Sequence, residues 1–507
     1  MMTHKRLYAL GLGAALTLGV AACDDGLTDV NLNPNSPEDV PAPTLFVNAT
    51  RLSASRWLGN AGLRQFEVLA QHMAEVQYPE TDAYQRLTAT FTEANFGGAY
   101  FNELKDYHLV INKGRAESAP GYYGPAMVMR AWEFGVLTDL FGDVPYSAAL
   151  QGDSLSVENR TQPAYDAQQA IYADLFRSLA DATTALGQTT GPSLGGSDPI
   201  YGGNRTAWQR FSNSLRARHA LRMVNVDAAR ASAELQAAFS APGGVFTAVS
   251  HTAKFPWPGN GVYDNPWSVN FQTRDDHRVS TRLMALLQAS SDPRLAVFAQ
   301  PTQANNTIFR GLNNALPHNE AVSQVNTTSK PGTVTYSPSF ASYLMTTAEV
   351  KFIQAEAAER SLGGLNPGQA AGFYEAGIRA SMEQWGVTDE AAIAAYLGRA
   401  DVQYQAGVAG LRQIAEQKWI AMYSEGIQAW SEWRRTCVPF TVRPGPAATQ
   451  NQVPRRLLYS TVEKAVNAAS VNAAISRQGA DAFTTRIWWD AAPTAAPTYQ
   501  AGCGERA

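Results

Sequence analysis

The side chains able to do chemistry in this 507-residue sequence fall into two carboxylate groups and one aromatic loop. Asp275-Asp276-His277, flanked by Arg274 and Arg278, has the residue types of a metal or acid–base cluster. Adjacent loop residues rarely aim at one point, so a solvated, salt-bridged turn is the simpler reading. Glu349 and Glu356 stand seven apart, sharing a predicted helix face with Phe352 and Ile353. Two carboxylates are the equipment of a glycosidase, yet these backbones would lie about 10.5 Å apart along the axis. Glycosidase carboxyl groups stand roughly 5–9.5 Å apart and flank the scissile bond. A shared apolar face better suits buried carboxylates holding arginines of neighbouring helices, with Arg379 or Arg434-Arg435 as partners.

The aromatic loop, Phe255 to Trp267, sets Trp257, Tyr263 and Trp267 among prolines, glycines and asparagines. A large ring stacks on the apolar C–H face of a sugar, while Asp264 and Asn265 would take its hydroxyls. Rings locked by turns also lose little entropy on binding. The competing reading, in which these rings anchor an irregular loop to the body, stays open. A second aromatic set holds Tyr78, Tyr84, Phe91, Phe96, Tyr100 and Phe101. Tyr100 and Phe101 are expected in the core, whereas Tyr78 and Tyr84 are freer and join the candidate ligand contacts. There is no His-Glu-x-x-His, Walker loop, Cys-x-x-Cys, Gly-x-Ser-x-Gly or EF-hand loop. The seven histidines lack metal-ligand spacing. No catalytic residue, metal site or cofactor is therefore assigned; a bound calcium stays open, with no dedicated ligand loop to identify it.

The elements that must position these residues are mainly helical. Apolar periodicity predicts helices over 45–74, 99–111, 125–141, 164–186 and 207–223, the last capped by Thr206. Helices return over 341–360, 367–385, 390–396 and 410–433. Between them, residues 243–339 are rich in Pro, Gly, Asn and Trp, with one helical piece near 280–287. So much irregular chain usually means binding loops. The organisation is thus a helical part (45–242), a loop-rich insertion (243–339) and a second helical part with a tail (340–507). Helices tend to come in pairs, as in tetratricopeptide repeats, but no clean 34-residue signature recurs.

The N-terminus carries Lys5 and Arg6, then an apolar run from Leu7 to Ala22 that ends Val20-Ala21-Ala22-Cys23. That run falls short of the roughly 20 residues of a spanning helix. Small residues before the break mark a cleaved export signal over 1–22. With Cys23 next, it resembles a bacterial lipoprotein signal, in which Cys23 becomes the lipidated first residue. Each buried acyl CH₂ would contribute roughly 0.8 kcal/mol of anchoring. Residues 23–44, proline-containing and polar, read as a tether. A hydrophobic content of 45%, a charged content of 17% and a net charge of −4 are those of a globular protein. No basic block follows the signal, so nucleic acid is not an expected partner. Cys437 and Cys503 remain after lipidation; a disulfide and two separate thiols are equal readings.

Several strings resemble one family in its own order. Thr138 to Tyr146 is similar to the "DxxGDxPY" stretch of SusD/RagB-like outer-membrane nutrient-binding lipoproteins. Trp208 to Arg218 resembles their "WxxFxNSLxxR" helix, Ser291 to Leu295 their "DPR" turn, and Glu349 to Ala357 their "ExxFxxAEA" helix. Gln417-Lys418-Trp419 through Thr436 resembles "QKW…WxEWRRT", and Pro454 to Tyr459 "PRRxxY". The likeness covers the mature chain and is strongest to the second SusD-like branch. Cys437 stands where that pattern has a small residue.

The resemblance implies a right-handed superhelix of about four tetratricopeptide units supporting an irregular ligand-binding half. It also implies a partner, a SusC-like TonB-dependent β-barrel in the outer membrane. The lipoprotein would face the exterior as a lid, capture oligosaccharide (peptide in some relatives) and present it to the barrel. Asp24-Asp25 suit the acidic surface-export signals of such lipoproteins. On this reading Asp139, Asp143, Glu349, Glu356, Arg434 and Arg435 are scaffold, and the protein is no enzyme. Two alternatives are a lipid-anchored glycan hydrolase using Glu349 or Asp275, and a helical-repeat scaffold without a small ligand.

Overall fold

The computed structural model describes residues 39–152, 161–490 and 496–506; the signal segment and Cys23 lie outside them. Helix α1 (Ala42–Ser53) starts behind Pro41, inside the expected tether, and buries Phe46, Ala49 and Ser53 along one face. The predicted continuous helix to residue 74 breaks instead into wider turns over Ala54–Asn60 and Gly62–Phe66, ending at Leu69. Gly59 is the cause: its φ/ψ of −89°/−108° leaves the helical region. A Cβ there would lie 2.7 Å from the Pro266 ring, so the close approach requires glycine.

Helices α2 (Lys105–Ala116), α3 (Pro120–Phe141), α4 (Gln168–Leu186), α5 (Arg205–Arg222) and α6 (Ala228–Ser240) follow, each packed on the next. Helix α6 was not anticipated by the periodicity; Asp227 caps it by accepting the Arg230 N–H, and it buries Ala231, Leu235 and Ala238. The second helical part holds α7 (Thr347–Glu359), α8 (Ala370–Gln384), α9 (Gly407–Ala421) and α10 (Gly426–Thr436). Helix α7 packs on α8, α9 and α5, joining the two parts. The protein is mainly α, and no helix among the described residues is long and apolar enough to cross a membrane.

Buried ion pairs tie the helices together. Arg218 of α5 grips Glu349 of α7 with two N–H donors. Arg222 reaches Asp139 of α3 at 3.1 Å. Arg435 clasps both Glu356 and Glu432, and Lys418 adds a contact to Glu432 at 3.1 Å. Asp143 accepts the first N–H of α4 at Gln168 and pairs with Arg477. Arg434 donates to the Arg455 and Asp139 carbonyls and lies 3.8 Å over the Trp430 ring. One expectation is corrected. Neither Arg379 nor the Arg434-Arg435 pair holds Glu349; Arg379 sits at the surface against Glu375 and Glu390.

Among the described residues, three short antiparallel ribbons pin the irregular chain: β1 (Met73–Glu75) with β5 (His277–Val279), β2 (Val144–Pro145) with β3 (Tyr165–Asp166), and β4 (Ala253–Phe255) with β6 (Ser342–Met345). The last closes the insertion near its two ends. At the C-terminal end, Cys437 and Cys503 form a disulfide with Cα atoms 5.9 Å apart.

Candidate functional site

The site begins with the β1–β5 ribbon, whose register pairs Glu75 with His277 and Met73 with Val279. That register sets the loop after β1 beside the chain entering β5. Tyr78, half-buried, meets two guanidiniums there: Arg86 at 5.1 Å and Arg274 at 5.6 Å from its ring centroid. Both arginines remain partly exposed, with Glu80 3.8 Å from Arg86 and Asp276 3.7 Å from Arg274. Nearby, Phe271 stacks on Tyr336 with centroids 4.4 Å apart. Asp275, also partly exposed, bridges Arg278 at 2.8 Å and Lys330 at 2.9 Å, which holds its carboxyl below the usual carboxylate range.

The loop stands on a buried floor. Asp82 accepts the N–H groups of Glu75 at 2.9 Å and Ala315 at 3.3 Å. Burial, reinforced by the Glu75 charge, pushes its carboxyl well up. Tyr84, expected to be free for ligand, is buried under the loop, where burial raises its hydroxyl pKa. Asp275-Asp276-His277 is likewise not a solvated turn: Asp276, His277 and Arg278 are buried in and beside β5, and only Asp275 faces out. His277 lies 3.3 Å from Glu75.

The aromatic loop divides. Trp257 is 5% and Trp267 1% exposed, so neither offers a face to a ligand. The Trp257 indole N–H donates to the Ser342 hydroxyl. The Trp267 indole N–H donates to the Leu58 and Gly59 carbonyls, beside the kink at Gly59. Asn265 is buried too, capping its helix at the Trp267 N–H and donating to the Phe340 carbonyl. Asp264 accepts the Gly261 N–H, a turn-forming contact. Tyr263 alone stays 47% exposed, at the loop tip beside the Arg51 guanidinium. Phe101, expected in the core, is instead 72% exposed, while Tyr100 packs and donates its hydroxyl to the Pro145 carbonyl.

Among the described residues, no group of three or more His, Cys, Asp or Glu stands together to hold a metal ion. Glu349, chelated by Arg218 and fully buried, cannot reach a substrate. What the surface around β1 and β5 offers is the Tyr78 ring, two flanking guanidiniums, and the acceptors and donors of Asp275 and Lys330. This is binding chemistry: an aromatic ring edge for apolar contact and charged hydrogen-bonding groups for a ligand's substituents. The SusD-like family described as starch-binding and associating with the outer membrane matches residues 34–460. The chain belongs to that SusD-like family.

Solved structures agree in fold. A chitin-binding protein superposes with a TM-score of 0.78 at 25% identity, covering 89% of this chain and 100% of its own. A chitin-binding SusD homologue from Flavobacterium johnsoniae gives 0.77 at 26% identity, covering 89% and 98%. A SusD-like protein from Bacteroides thetaiotaomicron gives 0.76 at 22% identity with the same coverage, a likeness of fold alone. No curated protein matches. The sequence names Tyr78 and Tyr263, which the structure leaves at least partly exposed, but it does not single out Arg86, Phe271 or Tyr336 and offers Arg274 only as a flank. No local pattern marks them, because strand pairing across about 200 residues sets Arg274 against Tyr78.

Proposed function

We propose that this SusD-like protein captures a glycan at the surface around Tyr78, Arg86 and Arg274 and hands it to a SusC-like TonB-dependent barrel. The observation that carries the reading is the half-exposed Tyr78 ring between two guanidiniums, in a chain whose family is described as starch-binding. Residues 45–507 act as one capturing domain, tethered through lipidated Cys23 and facing the cell exterior. Chitin-binding relatives at 25% and 26% identity make β-1,4-linked N-acetylglucosamine oligomers the first ligands to try. It acts as a binding protein, not a hydrolase, since the carboxylates named for catalysis are held in ion pairs.

The test is calorimetry of the signal-free chain with chito- and malto-oligosaccharides, with product analysis of the same samples. Binding without cleavage that weakens in Tyr78→Ala and Arg274→Ala supports the reading. Cleavage products, or affinity untouched by both substitutions, would overturn it.

A further inference from the structure

We infer that the cleft between residues 449–452 and the C-terminal tail is a second carbohydrate-binding site, aromatic-free and suited to a neutral polyhydroxylated chain. The inference rests on the glycan reading above. The cleft has a volume of about 730 Å³, and Gln450, Asn451, Gln452 and Thr484 line it. Ligand clefts run roughly 300–1,000 Å³. Among the described residues, none of these four side chains has a hydrogen-bond partner within the protein. Three amides and a hydroxyl therefore present uncommitted donors and acceptors to one space. Each amide offers both roles about 2 Å apart, which matches the paired hydroxyls of a sugar.

Charge argues for a neutral ligand. Glu505 and Arg506 also line the cleft, with opposite signs. The Arg506 guanidinium is already spent on the Pro446, Ala448 and Gln450 carbonyls, so it is not an anion receptor. With no aromatic ring among the lining residues, recognition would be by hydrogen bonds alone, unlike the site at Tyr78.

The walls are held in place before any ligand arrives. Arg506 donates its backbone N–H to the Asn451 carbonyl at 2.8 Å, and Val453 donates to Gly504 at 2.9 Å. The Cys437–Cys503 disulfide fastens the tail to the end of α10. Gly504, at φ +71°, lets the tail pass close over Trp433; a Cβ there would meet the ring at 2.6 Å. On the other side, Thr449 donates both its backbone N–H and its hydroxyl to the Ala83 carbonyl, in the loop that carries Tyr78. The backbone carrying the amides is therefore fixed before binding, and only their side chains lose freedom.

The experiment compares four full-length, signal-free proteins: wild type, Tyr78→Ala, Asn451→Ala/Gln452→Ala, and the combined triple variant. Each is titrated calorimetrically with chitohexaose and maltohexaose, and melting temperatures check folding. Residual binding in Tyr78→Ala that falls about tenfold or more in the triple variant, the loss of two net hydrogen bonds, supports the second site. Binding unchanged between those two variants overturns it while leaving the Tyr78 reading standing. Failure of either hexamer to bind wild type would overturn both together. Side-chain amide resonances of Asn451 and Gln452, followed in wild type, give a second readout should the variants misfold; signals that do not move at saturation count against the site.

Discussion

Two arginine–aromatic contacts in this molecule have the same chemistry and opposite uses. Arg434 lies 3.8 Å over Trp430 on the same buried helix, with its Nη donors spent on two carbonyls and the Ser431 hydroxyl. Arg274 lies 5.6 Å from Tyr78 on the loop-rich face, partly in water. In the helical frame the contact belongs to a buried network in which both Arg434 Nη groups are hydrogen-bonded, and it adds to stability. On the loop face the same contact leaves a ring edge and free N–H donors for another molecule. An arginine beside an aromatic residue is therefore no marker of a binding site here; burial decides which it is.

The sharpest way to break that contrast lies in the frame. Arg435→Ala removes the guanidinium shared by two buried carboxylates, leaving Glu356 with Arg360 and Glu432 with Lys418, and is expected to cost about 3 kcal/mol in urea unfolding. Arg435 also holds both carboxyls below their usual range against the burial that would raise them. A depressed folded pKa gives stability that is full above the unfolded value, 4.5, and lost as pH falls toward the folded one. The variant's stability should accordingly fall less steeply below that pH than the wild type's. An unaltered acid limb would separate the pair from the frame's stability.

Trp267→Ala should behave as a frame mutation despite its place in the aromatic loop, costing about 3–5 kcal/mol through cavity formation and a lost indole bond. A stable Trp267→Ala protein with weakened glycan binding would return the indole to the ligand face.

Glu133 tests the frame from the other direction. Burial pushes it up to about 8, and Trp57 and Ser53 donate to it. Its folded form keeps a proton that the unfolded chain releases near 4.5, so stability should fall as pH rises between those values. The limiting slope is about 1.4 kcal/mol per pH unit. Glu133→Gln, which mimics the protonated acid, should flatten that limb; persistence of the slope would assign it elsewhere.

On the loop face, Tyr78→Ala should lower oligosaccharide affinity by about tenfold, roughly one aromatic stacking contact. Tyr263→Ala, at an exposed tip, should change stability by no more than about 0.5 kcal/mol. Chemical denaturation of both variants checks that the surface rings are stability-neutral. A loss above 2 kcal/mol in Tyr78→Ala would move Tyr78 into the frame.

Much of the frame could be read from the chain. The stretches around 125–141, 207–223 and 347–359 have local apolar spacing, the last two also local capping residues, and helices formed there. Asn204 rather than Thr206 caps α5, a two-residue shift typical of helix ends. Interruptions were less visible. The predicted helix over 410–433 divides at Met422 to Glu425, and the one over 45–74 unwinds at Gly59 because Pro266, distant in sequence, needs the space. For the site, composition drew attention to an aromatic insertion, yet its two tryptophans turned inward. Their N–H groups had carbonyl and hydroxyl partners waiting in the body, Leu58 and Ser342, and a large apolar ring with a satisfied donor gains more from burial than from water.

By itself the sequence determined what local chemistry can determine: the helical class, the family order of its strings, and the candidate pairing of buried carboxylates with arginines. Which arginine answered Glu349, that Cys437 met Cys503, and that Tyr78 rather than Trp257 kept an open ring were decided only in three dimensions. The physical reason is range. Helix periodicity and capping act within a few residues, whereas burial and ion pairing depend on partners as far as 334 residues away, as in Asp143 with Arg477, brought together by packing.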